Sequence, residues 1–191
     1  DIDEDRQHPE KRHRPIAAGR LAPTTALAVA FLLIIASLAG CFRVHANLGA
    51  VACAYLGLQL LYQFLFKHRV ILDVFAIAGG FVLRAVAGAE AIAVVISPWL
   101  LLCTLLLALF LGLAKRRGEI VQLDEQASSH RRTLEKYSLP LLDQMIAVVT
   151  ASTLMSYCLY TISERTVHEL GSTRMMYTIP FVIYGTFRYL Y

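Results

Sequence analysis

The chain has 191 residues, of which 57% are hydrophobic and only 17% are charged, whereas an ordinary soluble domain carries about 25% charged residues. This composition argues against a water-soluble globular domain and indicates a protein embedded in lipid. The net charge of +4 at pH 7 is weak evidence by itself, and we expect no nucleic-acid partner.

The chain begins with a charged segment. Residues 1–20 hold five basic and five acidic residues together with Pro9 and Pro15, which favour turns. No positive region leads into an apolar core, so the segment does not resemble a cleavable signal peptide. We interpret 1–22 as a cytoplasmic loop. Because the chain starts inside a charged segment and stops at Tyr191, we expect a fragment of a larger protein.

Six apolar runs follow, each close to the length of about 20 residues that crossing a bilayer requires. Each should be helical, because a segment in lipid must satisfy its own backbone hydrogen bonds. The predicted spans are 23–42, 46–66, 70–95, 97–114, 138–162 and 174–191. The predicted fold class is therefore all-α, a polytopic transmembrane helix bundle that forms a single membrane-embedded domain over 1–191.

The links between the spans differ in length and polarity. The link 67–69 is so short that the second and third spans must be antiparallel neighbours. A long polar loop is expected at 115–137, where Glu119 to Lys136 is compatible with a short helix on the membrane surface. A shorter polar loop is expected at 163–173.

Basic residues gather on one side of the predicted topology. The segments 1–22, 67–69, 115–137 and the C-terminus lie on the same side, and they hold 14 of the 18 basic residues. By the positive-inside rule this side faces the cytoplasm. We therefore expect a multi-pass protein of the inner (plasma) membrane, with its site on the cytoplasmic face.

Two acidic residues open the chain at helical spacing. Asp1 and Asp5 are four positions apart, so on a helix their carboxylates share one face and can share a divalent cation. Mg²⁺ suits such oxygen ligands and often completes its shell with substrate phosphates. The cations Lys11 and Arg14 follow closely, as a diphosphate site requires. The simpler alternative is a pair of solvated surface carboxylates.

The motifs of this chain resemble those of the UbiA superfamily of intramembrane prenyltransferases. The opening run, with Asp1, Asp5 and HPEKRHRPIAAG, is similar to the end of its NDxxDxxxD motif and the trailing KxxRPI. Among the branches, the decaprenyl-phosphate phosphoribosyltransferases are the most similar. The other stretches that carry this likeness are LYQFLFKH, LDVFAIAGGFVLRAVAG, LGLAKRRGE and YTIPFVIYGTFRYLY.

This resemblance implies a fold, a reaction and a set of site residues. The family fold is a bundle of nine transmembrane helices, of which the six spans would be the third to the eighth. The implied reaction moves a 5-phosphoribosyl group from phosphoribosyl pyrophosphate to a polyprenyl (decaprenyl) phosphate, with Mg²⁺, for cell-envelope polysaccharide precursors. The implied catalytic and metal-binding residues are Asp1 and Asp5. The implied substrate-binding residues are Lys11, Arg14, Tyr62, Lys67, Arg84, Lys115, Arg116, Arg117 and Glu119.

Two of these assignments have structural alternatives. The run from Lys115 to Glu119 offers three cations and one carboxylate, which favours direct binding of phosphate over a second metal cluster, but ordinary positive-inside residues give the same pattern. Arg84 lies inside a span and should face the bundle interior. It either forms a structural salt bridge or carbonyl contact, or binds substrate directly. Asp73 either caps the helix that it opens or joins the polar site.

Two other functions remain open. An aromatic prenyltransferase would move an isoprenoid chain from its diphosphate, and it predicts an acidic cluster near 115–125, where only Glu119, Asp124 and Glu125 are available. A non-enzymatic lipid-binding or transport bundle would use the cytoplasmic cations to hold anionic head groups, and it predicts that Asp1 and Asp5 are dispensable. The oligomeric state also stays open, a homo-oligomer included.

Overall fold

The computed structural model describes Arg6 and residues 11–67, 69–125 and 137–191, without the side chains of Lys11 and of 122–125. The secondary structure in these ranges consists of helices and turns, with no strand. The chain divides into two compact units, 1–50 and 51–191, which are described separately. The single domain over 1–191 stays a prediction.

The first unit contains a folded polar segment followed by the first long helix. A 3₁₀ turn at Lys11–His13 leads into turns in which Arg20 Nη2 donates to the His13 carbonyl at 2.9 Å. Gly19 has a φ of 72°, which suits glycine. Helix α1 then runs over Pro23–Val44, and α2 begins at Ala46. The described part of the predicted loop 1–22 is therefore a compact set of turns.

The second unit contains the remaining helices. Helix α2 (Ala46–Leu61) continues into one π-helical turn at Tyr62–Phe66. Helices α3 (Leu72–Ala91), α4 (Pro98–Glu125) and α5 (Leu139–Ile162) follow and pack on one another. The short helix α6 (Glu164–Leu170), a 3₁₀ turn (Arg174–Thr178) and α7 (Ile179–Leu190) complete the unit. Its apolar core includes Val74, Ala78, Leu109, Phe110, Leu113, Leu142 and Ile146.

Five of the predicted spans are confirmed as helices long and apolar enough to cross a membrane: Pro23–Val44, Ala46–Phe66, Leu72–Ala91, Pro98–Val121 and Leu139–Ile162. The sixth predicted span, 174–191, is helical from Arg174 to Leu190, with a change of helix type inside it. Residues 174–178 form the 3₁₀ turn, and α7 follows over Ile179–Leu190. Pro180 lies in the first turn of α7, a position that proline favours.

The predicted polar loops also differ from the structure. Helix α4 continues to Glu125, so 115–125 is helical and the separate surface helix from Glu119 is wrong in its described part. The polar side chains after the apolar span are mostly good helix formers, so polarity alone does not end the helix. The predicted loop 163–173 contains α6, which Ser163 caps and Gly171 ends at a φ of 60°.

One hydroxyl in α5 gives a stability prediction. Thr150 is 7% exposed, and its Oγ1 has no hydrogen-bond partner in the described part of the chain. Thr153 Oγ1, three residues on, donates to the Val149 carbonyl at 2.7 Å. We expect Thr150→Val to raise the free energy of unfolding by about 1–2 kcal/mol, because an unpaired buried hydroxyl is costly. Thr153→Val is the control and should be neutral or slightly destabilising. A loss of stability in Thr150→Val, measured by unfolding in detergent, would contradict this.

Candidate functional site

The link between α2 and α3 turns the chain back through an uncommon backbone conformation. The π-helical turn closes with a hydrogen bond from the Lys67 amide to the Tyr62 carbonyl at 2.8 Å. Ile71, just before α3, has a φ of 71°, which is strained for a β-branched residue. Single π-helical turns and strained residues both concentrate at functional sites. The link thus brings Tyr62 and Asp73 to the same end of the second unit.

Asp73 is the centre of a buried polar network. It is 1% exposed, and its Oδ2 accepts a hydrogen bond from Arg116 Nε at 3.1 Å. Its Oδ1 accepts from the Tyr137 hydroxyl at 3.0 Å. The Arg116 guanidinium also bonds Glu119 through Nη1, at 2.7 Å. Side chains from α3, α4 and the residue before Ser138 are therefore joined, and Asp73 joins the polar site instead of capping α3.

The hydroxyl of Tyr137 both accepts and donates. It accepts a hydrogen bond from the Ile71 amide at 2.5 Å while it donates to Asp73. Burial raises the pKa of Tyr137 to about 12, and the Asp73 carboxylate adds to this, whereas the Ile71 amide and Arg116 oppose it. The phenol therefore stays neutral at physiological pH and keeps the proton that it donates.

The network includes three of the predicted substrate-binding residues. Arg116 and Glu119 belong to it directly, and the Tyr62 phenol lies close enough to interact with the charge of Arg116. These residues come from the π-helical turn and from α4, which are far apart in sequence. Because the Arg116 guanidinium is already paired with two carboxylates, the network is a set of paired polar groups in fixed positions and not a cluster of unpaired cations.

The other two cations of the 115–117 run point away from this network. Arg117 Nε pairs with Asp143 Oδ1 at 2.6 Å, with both side chains about half exposed, and Lys115 is exposed. Successive residues on a helix point about 100° apart, so three consecutive cations cannot share one direction. Their role in binding phosphate stays a prediction.

Arg84 lies apart from the network, about 16 Å along α3 from Asp73 at 1.5 Å per residue. Its Nη2 donates to the Tyr55 hydroxyl at 3.1 Å. Its guanidinium carbon lies 4.8 Å from the ring centroid of Phe81 and 5.4 Å from that of Tyr55. These are cation–π contacts, in place of the predicted salt bridge or carbonyl contact. A role in substrate binding stays a prediction.

The remaining predicted residues can be placed only in part. Asp1, Asp5 and the side chain of Lys11 lie outside the described residues. Arg14 is exposed in the turns of the first unit, and Lys67 is half-buried at the end of the π-helical turn of the second.

The described residues offer no ready donor set for a metal. Among them, no group of three or more His, Cys, Asp or Glu side chains could hold an ion. The buried carboxylate of Asp73 and the carboxylate of Glu119 both bind the Arg116 guanidinium instead. The prediction of Mg²⁺ therefore depends on Asp1 and Asp5, which the structure does not describe.

An apolar cavity of about 360 Å³ lies between α3, α4 and α5, and sequence neighbours of the network residues are in its lining. Ile71 and Val74, on either side of Asp73 in sequence, line it, and so does Leu113, one helical turn before Arg116. Helix α5 supplies the opposite wall, with Gln144 as the polar residue of the lining. A mainly apolar space of this size suits the apolar part of a ligand.

Sequence reasoning missed Tyr137 and Asp143. Tyr137 precedes the N-cap Ser138, and both Tyr137 and Leu142 are buried in the core, the two positions of a hydrophobic staple. That pattern could have indicated a buried phenol at this place. No comparable signal marks Asp143, since its partnership with Arg117 depends on how α4 and α5 are aligned.

Comparison with known proteins gives the family. The UbiA prenyltransferase family matches residues 1–191. Proteins named decaprenyl-phosphate phosphoribosyltransferase are similar to the chain in three organisms. The one from Mycolicibacterium smegmatis is 34% identical over 89% of this chain and 54% of its own length. The one from Mycobacterium tuberculosis is 33% identical over 96% and 60%, and the one from Corynebacterium glutamicum is 34% identical over 96% and 56%.

The chain thus spans somewhat more than half the length of these curated relatives. The alignment with the relative from Mycobacterium tuberculosis covers 96% of the chain. With the full-length family match and five long apolar helices, these findings show that the chain is a multi-pass membrane protein of the UbiA prenyltransferase family.

Proposed function

We propose that the protein transfers a 5-phosphoribosyl group from phosphoribosyl pyrophosphate to a polyprenyl phosphate, of which decaprenyl phosphate is the expected form. The observation that supports this best is an apolar cavity lined by Val74 and Leu113, together with the network of Asp73, Arg116 and Glu119 on the same two helices. The cavity suits the apolar tail of a polyprenyl phosphate, and the network near it suits the phosphate groups of the donor. The names of the relatives from three organisms support a phosphoribosyl group as the group transferred.

The chain's own residues would act mainly by positioning and by charge. The Arg116 guanidinium, held by two carboxylates, gives an oriented group on a helix that lines the cavity, and Tyr62 lies close to it. Lys115 and Arg117 are exposed on the same helix and would offset phosphate charge. Lys11, Arg14 and Lys67 are further candidates for the donor phosphates, and Arg84 for a contact deeper along α3.

In the proposed reaction an oxygen of the lipid phosphate forms a bond to the anomeric carbon of the ribose, while the bond from that carbon to pyrophosphate breaks. The lipid phosphate is already ionised at neutral pH, so no strong general base is needed. Mg²⁺, when bound by Asp1 and Asp5, would offset the charge of the departing pyrophosphate. The protein's contribution is then orientation and electrostatic stabilisation. The site would face the cytoplasm at the inner membrane and supply precursors of envelope polysaccharides.

The alternative of aromatic prenyl transfer gains no support from the described residues. It requires an acidic cluster near 115–125, and Glu119 in that stretch is paired with Arg116. A non-enzymatic lipid-binding bundle would leave Asp1 and Asp5 without a role.

The test is a transfer assay on the purified protein in detergent. The mixture contains Mg²⁺, polyprenyl phosphate and labelled phosphoribosyl pyrophosphate, and label is counted in the organic phase. We expect transfer that EDTA and Asp5→Asn each abolish. Asp3→Asn is the matched control, because Asp3 lies outside the four-residue spacing, and it should keep most of the activity.

Two results would contradict the proposal. If label stays in water but a labelled allylic diphosphate passes to an aromatic acid, the protein is an aromatic prenyltransferase. If neither donor reacts and Asp5→Asn leaves binding of polyprenyl phosphate unchanged, the lipid-binding alternative is correct.

A further inference from the structure

Tyr137 takes no part in the proposed reaction, yet its hydroxyl bonds two groups, the Ile71 amide and the Asp73 carboxylate. We propose that Tyr137 is a positioning residue that acts through Asp73 to hold Arg116 and Glu119 in place for the phosphate groups of the donor. This inference rests on the proposed function for the identity of that donor.

The hydrogen bonds of the network are continuous from the Ile71 amide to Glu119. The Ile71 amide donates to the Tyr137 hydroxyl, which donates to Asp73 Oδ1 at 3.0 Å. Arg116 Nε donates to the other oxygen, Asp73 Oδ2, at 3.1 Å, and Arg116 Nη1 donates to Glu119. Since both oxygens of one carboxylate are bound, the plane of that carboxylate is fixed. Its orientation then sets that of the guanidinium.

A residue that only filled the core would not need this hydroxyl. Tyr137 is 5% exposed, and its ring belongs to the apolar core of the second unit. Phenylalanine could fill that space equally well. The hydroxyl instead satisfies a backbone amide on one side and a buried carboxylate on the other, and its loss would leave both groups without these bonds. The hydroxyl group that tyrosine adds at this position therefore serves to orient the Asp73 carboxylate.

The backbone at Ile71 gives independent support. Its φ of 71° is unfavourable for a β-branched side chain, so the surrounding structure must hold it. The Ile71 amide donates its described hydrogen bond to the Tyr137 hydroxyl. Asp73 follows two residues later, so Tyr137 constrains Asp73 twice, through the carboxylate and through the backbone that leads to it.

The expected kinetic effect is specific to one substrate. In Tyr137→Phe the Asp73 carboxylate is free to rotate and Arg116 to shift toward Glu119. We expect KM for phosphoribosyl pyrophosphate to rise about tenfold, because a misplaced charged group costs on the order of one tenfold step in binding. KM for polyprenyl phosphate should change less than twofold, since the apolar tail does not depend on this network.

Three variants separate positioning from general loss of structure. Tyr157→Phe removes a phenol hydroxyl near the C-terminal end of α5, where it is hydrogen-bonded to Thr178 at 2.7 Å. This variant should leave both KM values unchanged. Replacement of Tyr137 by 4-aminophenylalanine restores a donor at the para position and should return KM for the donor toward its original value. In Arg116→Lys, whose point charge lacks the planar fork, adding Tyr137→Phe should have little further effect.

The results with these variants either support the inference or overturn it. An unchanged donor KM in Tyr137→Phe, no rescue by 4-aminophenylalanine, or full additivity with Arg116→Lys would each overturn the inference. If the unsubstituted protein transfers no phosphoribosyl group, the proposed function fails, and the same variants are compared by their Kd for inorganic pyrophosphate. Non-additive losses of pyrophosphate affinity would then support positioning by Tyr137, while additive losses or no binding would overturn it.

Discussion

Replacing Asp73 by alanine should lower the free energy of unfolding by about 3–5 kcal/mol, because it breaks a buried ion pair and leaves the Arg116 charge with less compensation. The Asp73 and Arg116 side chains are 2% and 9% exposed, so water cannot replace the lost partner cheaply. The Tyr137 hydroxyl loses its acceptor at the same time. Equilibrium unfolding of the protein in mixed detergent micelles, followed by circular dichroism, measures the change.

The neighbouring arginine supplies the control. Arg117 also pairs with an aspartate of another helix, Asp143, but the two side chains are 48% and 52% exposed. Asp143→Ala should therefore cost no more than about 1 kcal/mol, the usual value of a solvated pair. Equal losses in Asp73→Ala and Asp143→Ala would show that burial of the network adds nothing to stability.

Replacing Gly112 by alanine should lower the free energy of unfolding by about 1–3 kcal/mol, the usual cost of overpacking a filled core. A methyl group at this position would lie 2.7 Å from Val74 Cγ1, and Val74 is 1% exposed and has little room to move. The contact lies where α3 and α4 pack, so the clash would push the two helices apart. The measurement is again unfolding in detergent.

A second glycine of the same helix tests this explanation. A methyl group at Gly118 would meet no atom within 4 Å. Gly118→Ala should therefore raise the free energy of unfolding by up to about 1 kcal/mol, because alanine is the better helix former. If both substitutions changed stability in the same direction, close packing at Gly112 would not be the cause.

The sequence predicts the long helices well because lipid imposes one rule on every spanning segment. A run of about 20 apolar residues must form a helix, and five such runs do. Outside the apolar core that rule no longer applies. The helical conformation of 115–125 and the change of helix type before Pro180 depend on local propensity and on proline, which a hydropathy pattern does not record.

The buried network was harder to predict. Asp73 and Arg116 are 43 positions apart, and their contact depends on how α3 and α4 are aligned. The motif resemblance pointed to Arg116 and Glu119, and the sequence left Asp73 as either a helix cap or a member of the polar site, but nothing indicated the pairing of Asp73 with Arg116 or the place of Tyr137. Spacing along one chain identifies residues on the same helical face, whereas contacts between helices require the packed structure.

Helix α4 is longer than the hydrocarbon core of a membrane is thick. Its 28 residues span about 42 Å at 1.5 Å per residue, more than a hydrocarbon core of about 30 Å. Arg116 and Arg117 lie near the start of its last third. A change of about 10° in the tilt of this helix about its N-terminal end would move its C-terminal end by about 7 Å. Because a spanning helix longer than the hydrocarbon core adjusts by tilting, we expect bilayer thickness to change the position of these two arginines.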